Sequence, residues 1–249
     1  MRSADVTQSE IVSYRALEQR IPDAHPLRKL RVLVDGTLIE ARASMKSFQA
    51  KDGSGKPPED SGCNPTVDFK GEERKNDTHA STTDPDARLF KKSRGDKARL
   101  YHMGHALMEN SNGLAVDVET TLATGKAERE AATAMVSRSV KRGVTLGADK
   151  NYDTAAFVKA MRQRGVTPHV ARKENGAIDG RTTRHAGYGI SSRLRKRIEE
   201  IFGWAKDVAD LRKTWFIALA KVKAQTIFTL TAYNLTRMGT IFGWRLNTV

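Results

Sequence analysis

Two adjacent glutamates, Glu199 and Glu200, stand in the stretch SSRLRKRIEEIFGWAK (191–206), among Arg193, Arg195, Lys196, Arg197 and Lys206. Acid inside so basic a run has an ordinary reading, intrahelical pairing at three- and four-residue spacing. It also has a chemical one, a carboxylate that holds a metal ion against a phosphodiester. Two further acids sit where such chemistry needs them. Asp35 lies within the run LRVLVDGTLIE and precedes Gly36, and Asp149 ends the apolar run VTLGA. Carboxylates from two strands and a helix can converge although they are far apart in sequence. Three hard oxygen donors suit Mg²⁺, with Mn²⁺ as a substitute. Two such ions activate the attacking oxygen and stabilise the leaving one in an in-line phosphoryl displacement. Each acid alone has a plainer explanation: an Asp-Gly turn, a strand-end cap, a surface ion pair.

Helical geometry separates the two glutamates. At about 100° per residue, Leu194, Ile198, Ile201, Ala205 and Val208 form one apolar stripe suited to a core. Ser192, Arg195, Glu199 and Lys206 form a second stripe at its edge, whereas Glu200 falls with Arg193 and Lys196 on the exposed basic side. Glu199 is therefore the candidate ligand, with Arg195 and Lys206 placed to hold phosphates beside it. Arg193, Lys196 and Arg197 complete a basic face for DNA. Salt bridging accounts for Glu200.

The elements that must carry these residues follow from periodicity. An amphipathic helix is expected over 8–22, and the stretch 30–44 begins with the alternating apolar pattern of a strand. Residues 49–78 are rich in Gly, Pro, Asp and Lys, and they predict a disordered insertion that extends toward 99. YHMGHALMEN and GLAVDVETTL read as strands joined by a turn at 111–113. Next come a helix over 127–142, a strand over 144–149, a helix over 154–164 capped by Asp153, and a strand at VTPHVA. Long helices over 191–209 and 219–240 follow. The order indicates a mixed α/β domain, one sheet covered by helices.

Composition points to a polyanionic partner. The net charge is +14, and it is uneven: residues 1–150 carry 25 Lys/Arg against 22 Asp/Glu, residues 151–249 carry 18 against 7. Cys63 is the single cysteine, so no intramolecular disulfide forms and a reducing compartment fits. The N-terminus lacks the apolar core of a signal peptide. Lys221 and Lys223 interrupt the most apolar stretch, 214–236, which makes a poor membrane span. A cytoplasmic protein is the expectation.

LVDGTLIEARASMKSF, HASTTDPDARLF, MGHALMEN, LGADKNYD and SSRLRKRIEEIFGWAK resemble, in order and over about 31–240, the DDE transposases of bacterial insertion sequences, specifically the insertion-sequence-five type. The resemblance implies an RNase H-like catalytic fold, a site of Asp35, Asp149 and Glu199 on divalent metal, and cleavage at element ends followed by strand transfer. It also implies a synaptic complex of more than one subunit. The family's Tyr-Arg-Glu-Lys signature matches at Arg195, Glu199 and Lys206, while Ser192 stands where the tyrosine falls. ALEQRIPDAHPLRKLRVLVD resembles the start of these proteins, but a helical region that relatives carry before the VDGTLIEA strand is missing. That marks an internally shortened copy, with 1–29 a remnant and 30–249 the catalytic domain. The alternative is an inactive remnant that only binds DNA.

Other residues carry less. His102 and His105 lie three apart on a strand, on opposite faces, with no further ligand at suitable spacing. Asp117 and Glu119 read as the solvent side of a hairpin, and Trp204, Trp215 and Trp244 as core.

Overall fold

The computed structural model describes residues 30–53, 74–91 and 95–243. The expected helix over 8–22, the whole 1–29 segment, part of the expected insertion (54–73 and 92–94) and Trp244 lie outside the described residues.

The centre of the main sheet is β1 (Leu30–Glu40). On one side it pairs antiparallel with β5 (Arg99–Glu109); on the other it pairs parallel with β7 (Thr145–Ala148), which pairs parallel with β8 (Thr167–Val170). The outer edge of β5 takes β6 (Ala115–Leu122) along most of its length and the short β4 (Arg88–Phe90) at its start. Three long antiparallel strands with two parallel ones beyond them, connected through helices, make an RNase H-like α/β fold.

Burial follows strand position. All four residues of β7 are buried, as a central parallel strand requires. On one face Val32, Val34, Leu146 and Ala148 pack against α1 (Ala127–Ser139) through Ala132, Met135 and Val136, and against α2 (Ala155–Gln163) through Phe157, Val158 and Met161. On the other face Leu33, Ile39, Ala106 and Met108 meet α5 (Ile198–Asp207) and α6 (Leu219–Phe242) through Ile198, Ile201, Val222, Leu230 and Tyr233. Helix α6 is keyed to the β5–β6 hairpin: Asn234 brackets both backbone groups of Ala115, at 2.8 Å each, and the Tyr233 hydroxyl donates to the Gly113 carbonyl.

Several expectations need correction. The described part of the expected insertion is built into the fold: β2 (Phe48–Ala50) pairs with β3 (His79–Ser81), and β4 joins the main sheet. The Asp86 carboxylate accepts from Leu219 N at the start of α6, and Asp84 is fully buried against His102, Oδ2 to Nε2 at 3.0 Å. Low apolar content hid this role, because these residues contribute caps and a buried pair rather than a hydrophobic stripe.

The cap of α2 is Thr154, whose hydroxyl accepts from Phe157 N, and not Asp153. The continuous helix expected over 191–209 is broken into α4 (Ala186–Leu194), a 3₁₀ turn at Arg195–Arg197, and α5. A short α3 (Gly180–Thr183) precedes α4. Trp215 is 65% exposed rather than core, while Trp204 packs edge-on to Tyr233. Asp117 and Glu119 are covered: Arg138 from α1 bridges both, and Lys223 from α6 holds Glu119.

Candidate active site

Strand β1 outruns its parallel neighbour, and the acids gather where β7 ends. Val34 lies opposite Ala148, so the register carried one residue further sets Asp149 beside Asp35. Beyond that level β1 keeps β5 on one side, with Gly36 opposite His105, and on the other has only an isolated parallel bridge from Glu40 to Lys213. The sheet therefore opens at Asp35, and groups from both of its faces can meet around the end of β7.

Asp35 is half-buried, and its Oδ1 accepts from Gly36 N at 2.8 Å. Its carboxyl is pushed up to about 7, chiefly by burial, opposed by that hydrogen bond, and further by the charges of Glu128, Asp149 and Glu199. Asp149 and Glu199, the other two acids expected from sequence, thus lie within electrostatic reach of Asp35. Glu199 and Glu200 are both exposed, so the edge-of-core position expected for Glu199 is not observed. Their surroundings still differ. Glu199 acts on Asp35, whereas Glu200 acts on Tyr233. The 3₁₀ turn does not disturb the relation of Glu199 to Lys206, since both belong to α5.

The basic residues divide. Arg195, on the 3₁₀ turn, donates from a terminal guanidinium nitrogen to Asp149 Oδ1 at 2.5 Å, and its Nε is buried without a partner. Arg197 is tied to the β5–β6 turn through the Asn110 carbonyl at 2.6 Å. Arg193 and Lys196 are exposed. Lys206 lines a cleft of about 550 Å³ together with Gly36, Thr37, Glu128, Arg129 and Asn151.

Two residues here escaped the sequence reading. Glu128 lies in the first turn of α1, where an acid ordinarily complements the helix dipole. Tyr152 ends the 3₁₀ turn Lys150–Tyr152 that follows Asp149. Its ring lies in the core, its hydroxyl is buried and unpartnered, and Asp35, Glu128 and Asp149 all act on it. Neither has a sequence signature, because both are set against the acids by tertiary contact.

The donors suit a hard divalent cation in kind: clustered carboxylates, one of them held near half-neutral by burial and its neighbours' charge. As they stand, no three His, Cys, Asp or Glu side chains among the described residues are gathered into a ligand set. The Arg195 guanidinium on Asp149 occupies part of the position a cation would take. His102 and His105 have separate partners through Nε2, the Asp84 carboxylate and the Thr121 hydroxyl.

Comparison with known proteins bears on the same span. Residues 27–235 match a family model described as Transposase DDE domain. A comparison with curated proteins gave no match. Among the described residues, no helix is long and apolar enough to cross a membrane.

Proposed function

The chain belongs to the transposase DDE domain family, whose members carry out DNA transposition with divalent metal, and we propose that it cuts the phosphodiester at the ends of an insertion sequence and joins the freed 3′-hydroxyl to target DNA. The observation that supports this most directly is that Asp149 and Glu199 both lie close enough to Asp35, at the open end of β7, for their charges to act on it. Asp35, Asp149 and Glu199 would hold Mg²⁺, or Mn²⁺ in its place, which would supply Lewis acidity and an activated oxygen for in-line displacement. Asp149 is available to a cation once Arg195 lets go of it. Arg195 and Lys206 then hold scissile phosphates, and Arg193 and Lys196 track the backbone nearby, with Arg197 fixing the turn beneath them.

The same reading makes the protein a cytoplasmic, insertion-sequence-five-type enzyme, shortened near its N-terminus, that works in a synaptic complex of more than one subunit. Residues 1–29 are then a remnant of the helical region of relatives, and 30–249 the catalytic domain. The missing segment favours one alternative, a remnant that binds DNA without cutting it.

Purified protein with Mn²⁺ or Mg²⁺ and a plasmid that carries the element's flanks separates the readings. Strand breaks at the element boundaries that survive Glu200→Gln and disappear in Glu199→Gln are the expected result. Salt-sensitive DNA binding with no mutant-sensitive breaks, from folded protein, would leave only the remnant. Breaks abolished by Glu200→Gln and not by Glu199→Gln would overturn the assignment of the helix acid.

A further inference from the structure

Helix α6 has two apolar faces. The inward one packs on the sheet through Val222, Leu230 and Tyr233. On the outward one Ala224, Ile227, Phe228, Thr231 and Leu235 are exposed and Met238 is half-buried. Phe228, Leu235 and Ile227 stand 75%, 55% and 41% exposed. At about 100° per residue these six positions fall within roughly 100° of arc, a strip about 20 Å long. None of them is charged, on a chain of net charge +14. The cations of the helix lie elsewhere: Lys223 Nζ is held by Glu119 at 2.6 Å, and Arg237 Nε donates to the Asn112 carbonyl at 2.8 Å. A strip without cations has nothing to offer a phosphate backbone, and an exposed apolar patch of this kind fits another protein surface.

The surface it fits is its own. Positions 224, 227, 231, 235 and 238 are spaced three, four, four and three residues apart, an order that reads the same from either end. Two copies of α6 laid antiparallel about a two-fold axis at Thr231 therefore bring Ile227 opposite the partner's Leu235. The same pairing sets Ala224 opposite the partner's Met238, small against large, in the three- and four-residue steps by which helices interlock. Phe228 falls on the same side of the axis as the partner's Leu235 and covers it. Thr231 Oγ1 donates to the Ile227 carbonyl at 2.8 Å, so its hydroxyl is satisfied within its own helix where the two copies meet. A parallel pair would instead set Lys221 beside Lys221, whereas the antiparallel one moves it opposite Ile241. At their exposures Phe228, Leu235 and Ile227 present roughly 300 Å² and the whole strip about 500 Å². Two copies then bury about 1,000 Å², the size at which specific association begins.

We propose that the chain forms a symmetric dimer in the absence of DNA, with α6 antiparallel to α6 of a second copy and Thr231 on the two-fold axis. This goes beyond the synaptic complex above, which the element ends assemble, and it stands whether or not the chain cuts DNA. An interface of this size gives a dissociation constant in the micromolar range.

Sedimentation velocity of the intact chain, without DNA or divalent metal and across the micromolar range, tests the proposal. Phe228→Lys, Leu235→Lys and the control Thr236→Lys are run beside it, each first shown to unfold cooperatively. Thr236 is exposed on the same helix but outside the strip. A monomer–dimer equilibrium is expected, weakened about tenfold or more by Phe228→Lys and by Leu235→Lys and unchanged by Thr236→Lys. Oxidative cross-linking in a Cys63→Ser background then reads the register. Thr231→Cys should link to itself, Ala224→Cys should not, and Ala224→Cys combined with Met238→Cys should. Self-linking of Ala224→Cys would mean parallel helices and overturn the register. A dimer indifferent to Phe228→Lys and Leu235→Lys would place the interface elsewhere and overturn the role of α6. A chain that stays monomeric without DNA overturns the second copy as occupant. In that case a Thr231→Cys thiol slow to react with a maleimide would assign the strip to another segment of the same chain. Dimers that form only on element ends would likewise overturn the proposal while leaving the synaptic reading in place.

Discussion

Asp153 holds the segment after β8 in place, and its replacement tests how the site's supporting turn is fixed. The side chain is buried, and its two oxygens divide three backbone donors between them. Oδ1 accepts from Ala177 N at 2.7 Å and Ile178 N at 2.9 Å, and Oδ2 from Lys173 N at 2.8 Å. Gly176 passes so close that a Cβ there would lie 1.7 Å from Oδ2. In Asp153→Asn one oxygen can keep the Ala177 and Ile178 bonds, but the amide NH₂ then faces the Lys173 N–H, donor to donor. One charge-assisted bond is lost and one N–H stranded, a cost of about 2–3 kcal/mol. Asp153→Ala loses all three bonds. The sum is tempered because no charge is left to desolvate and the half-buried Lys173 N–H can rehydrate, so about 3–5 kcal/mol is expected. Urea unfolding at pH 7, with unchanged m-values, gives both numbers. An asparagine variant within about 0.5 kcal/mol of the parent, or one as damaged as the alanine variant, would show that the three bonds do not act as described.

Asp35 carries a stability cost that its replacement should reveal. Its folded pKa of about 7 lies above the unfolded value of 3.8, so its contribution is intact below pH 3.8 and is lost as pH rises through 7. Asp35→Asn should therefore stabilise the metal-free protein at pH 8 by at most about 4 kcal/mol, with the gain vanishing toward pH 4. Denaturation at both pH values measures it. His169 shifts the other way: buried with Nδ1 2.6 Å from the Ser191 hydroxyl, it is pushed down to about 4 from 6.5. Its stabilisation is complete above pH 6.5 and falls as pH drops toward 4, by about 2 kcal/mol at pH 5. His169→Asn, which cannot take up the charge, should flatten that part of the pH profile. Ala218 sits at φ +76 just before α6, a region that glycine enters freely, so Ala218→Gly should raise stability by about 1 kcal/mol in the same assay.

Much of the architecture was legible because it is written in local pattern. The apolar runs of β1 and β7 and the strands of the β5–β6 hairpin appear where alternation or continuous burial predicts them, and α1, α2 and α6 within a few residues of their expected ends. Asp35 and Asp149 could be singled out because each acid interrupts or ends an apolar strand. The fixed angular step of a helix set Glu199 at the edge of the core and Glu200 outside it, but both are exposed, and the 3₁₀ turn at Arg195–Arg197 breaks the helix upstream of both.

What required tertiary structure was every relation across the sheet. The roles of Asp84 and Asp86 in seating His102 and α6 involve partners 18 and more than 130 residues away in sequence. Asp153 looked like a helix cap because a cap is the common local use of such a residue; its partners come from a loop some 20 residues on. Glu128 and Tyr152 carry no local signal of any kind. Helix α1 and the turn after β7 belong to separate stretches of chain, and they meet at Asp35 only because β7 stops one residue short of it and Gly36 leaves room above the strand. Sequence determined which residues could do chemistry along each element. The end of one strand beside another decided which of them share a site.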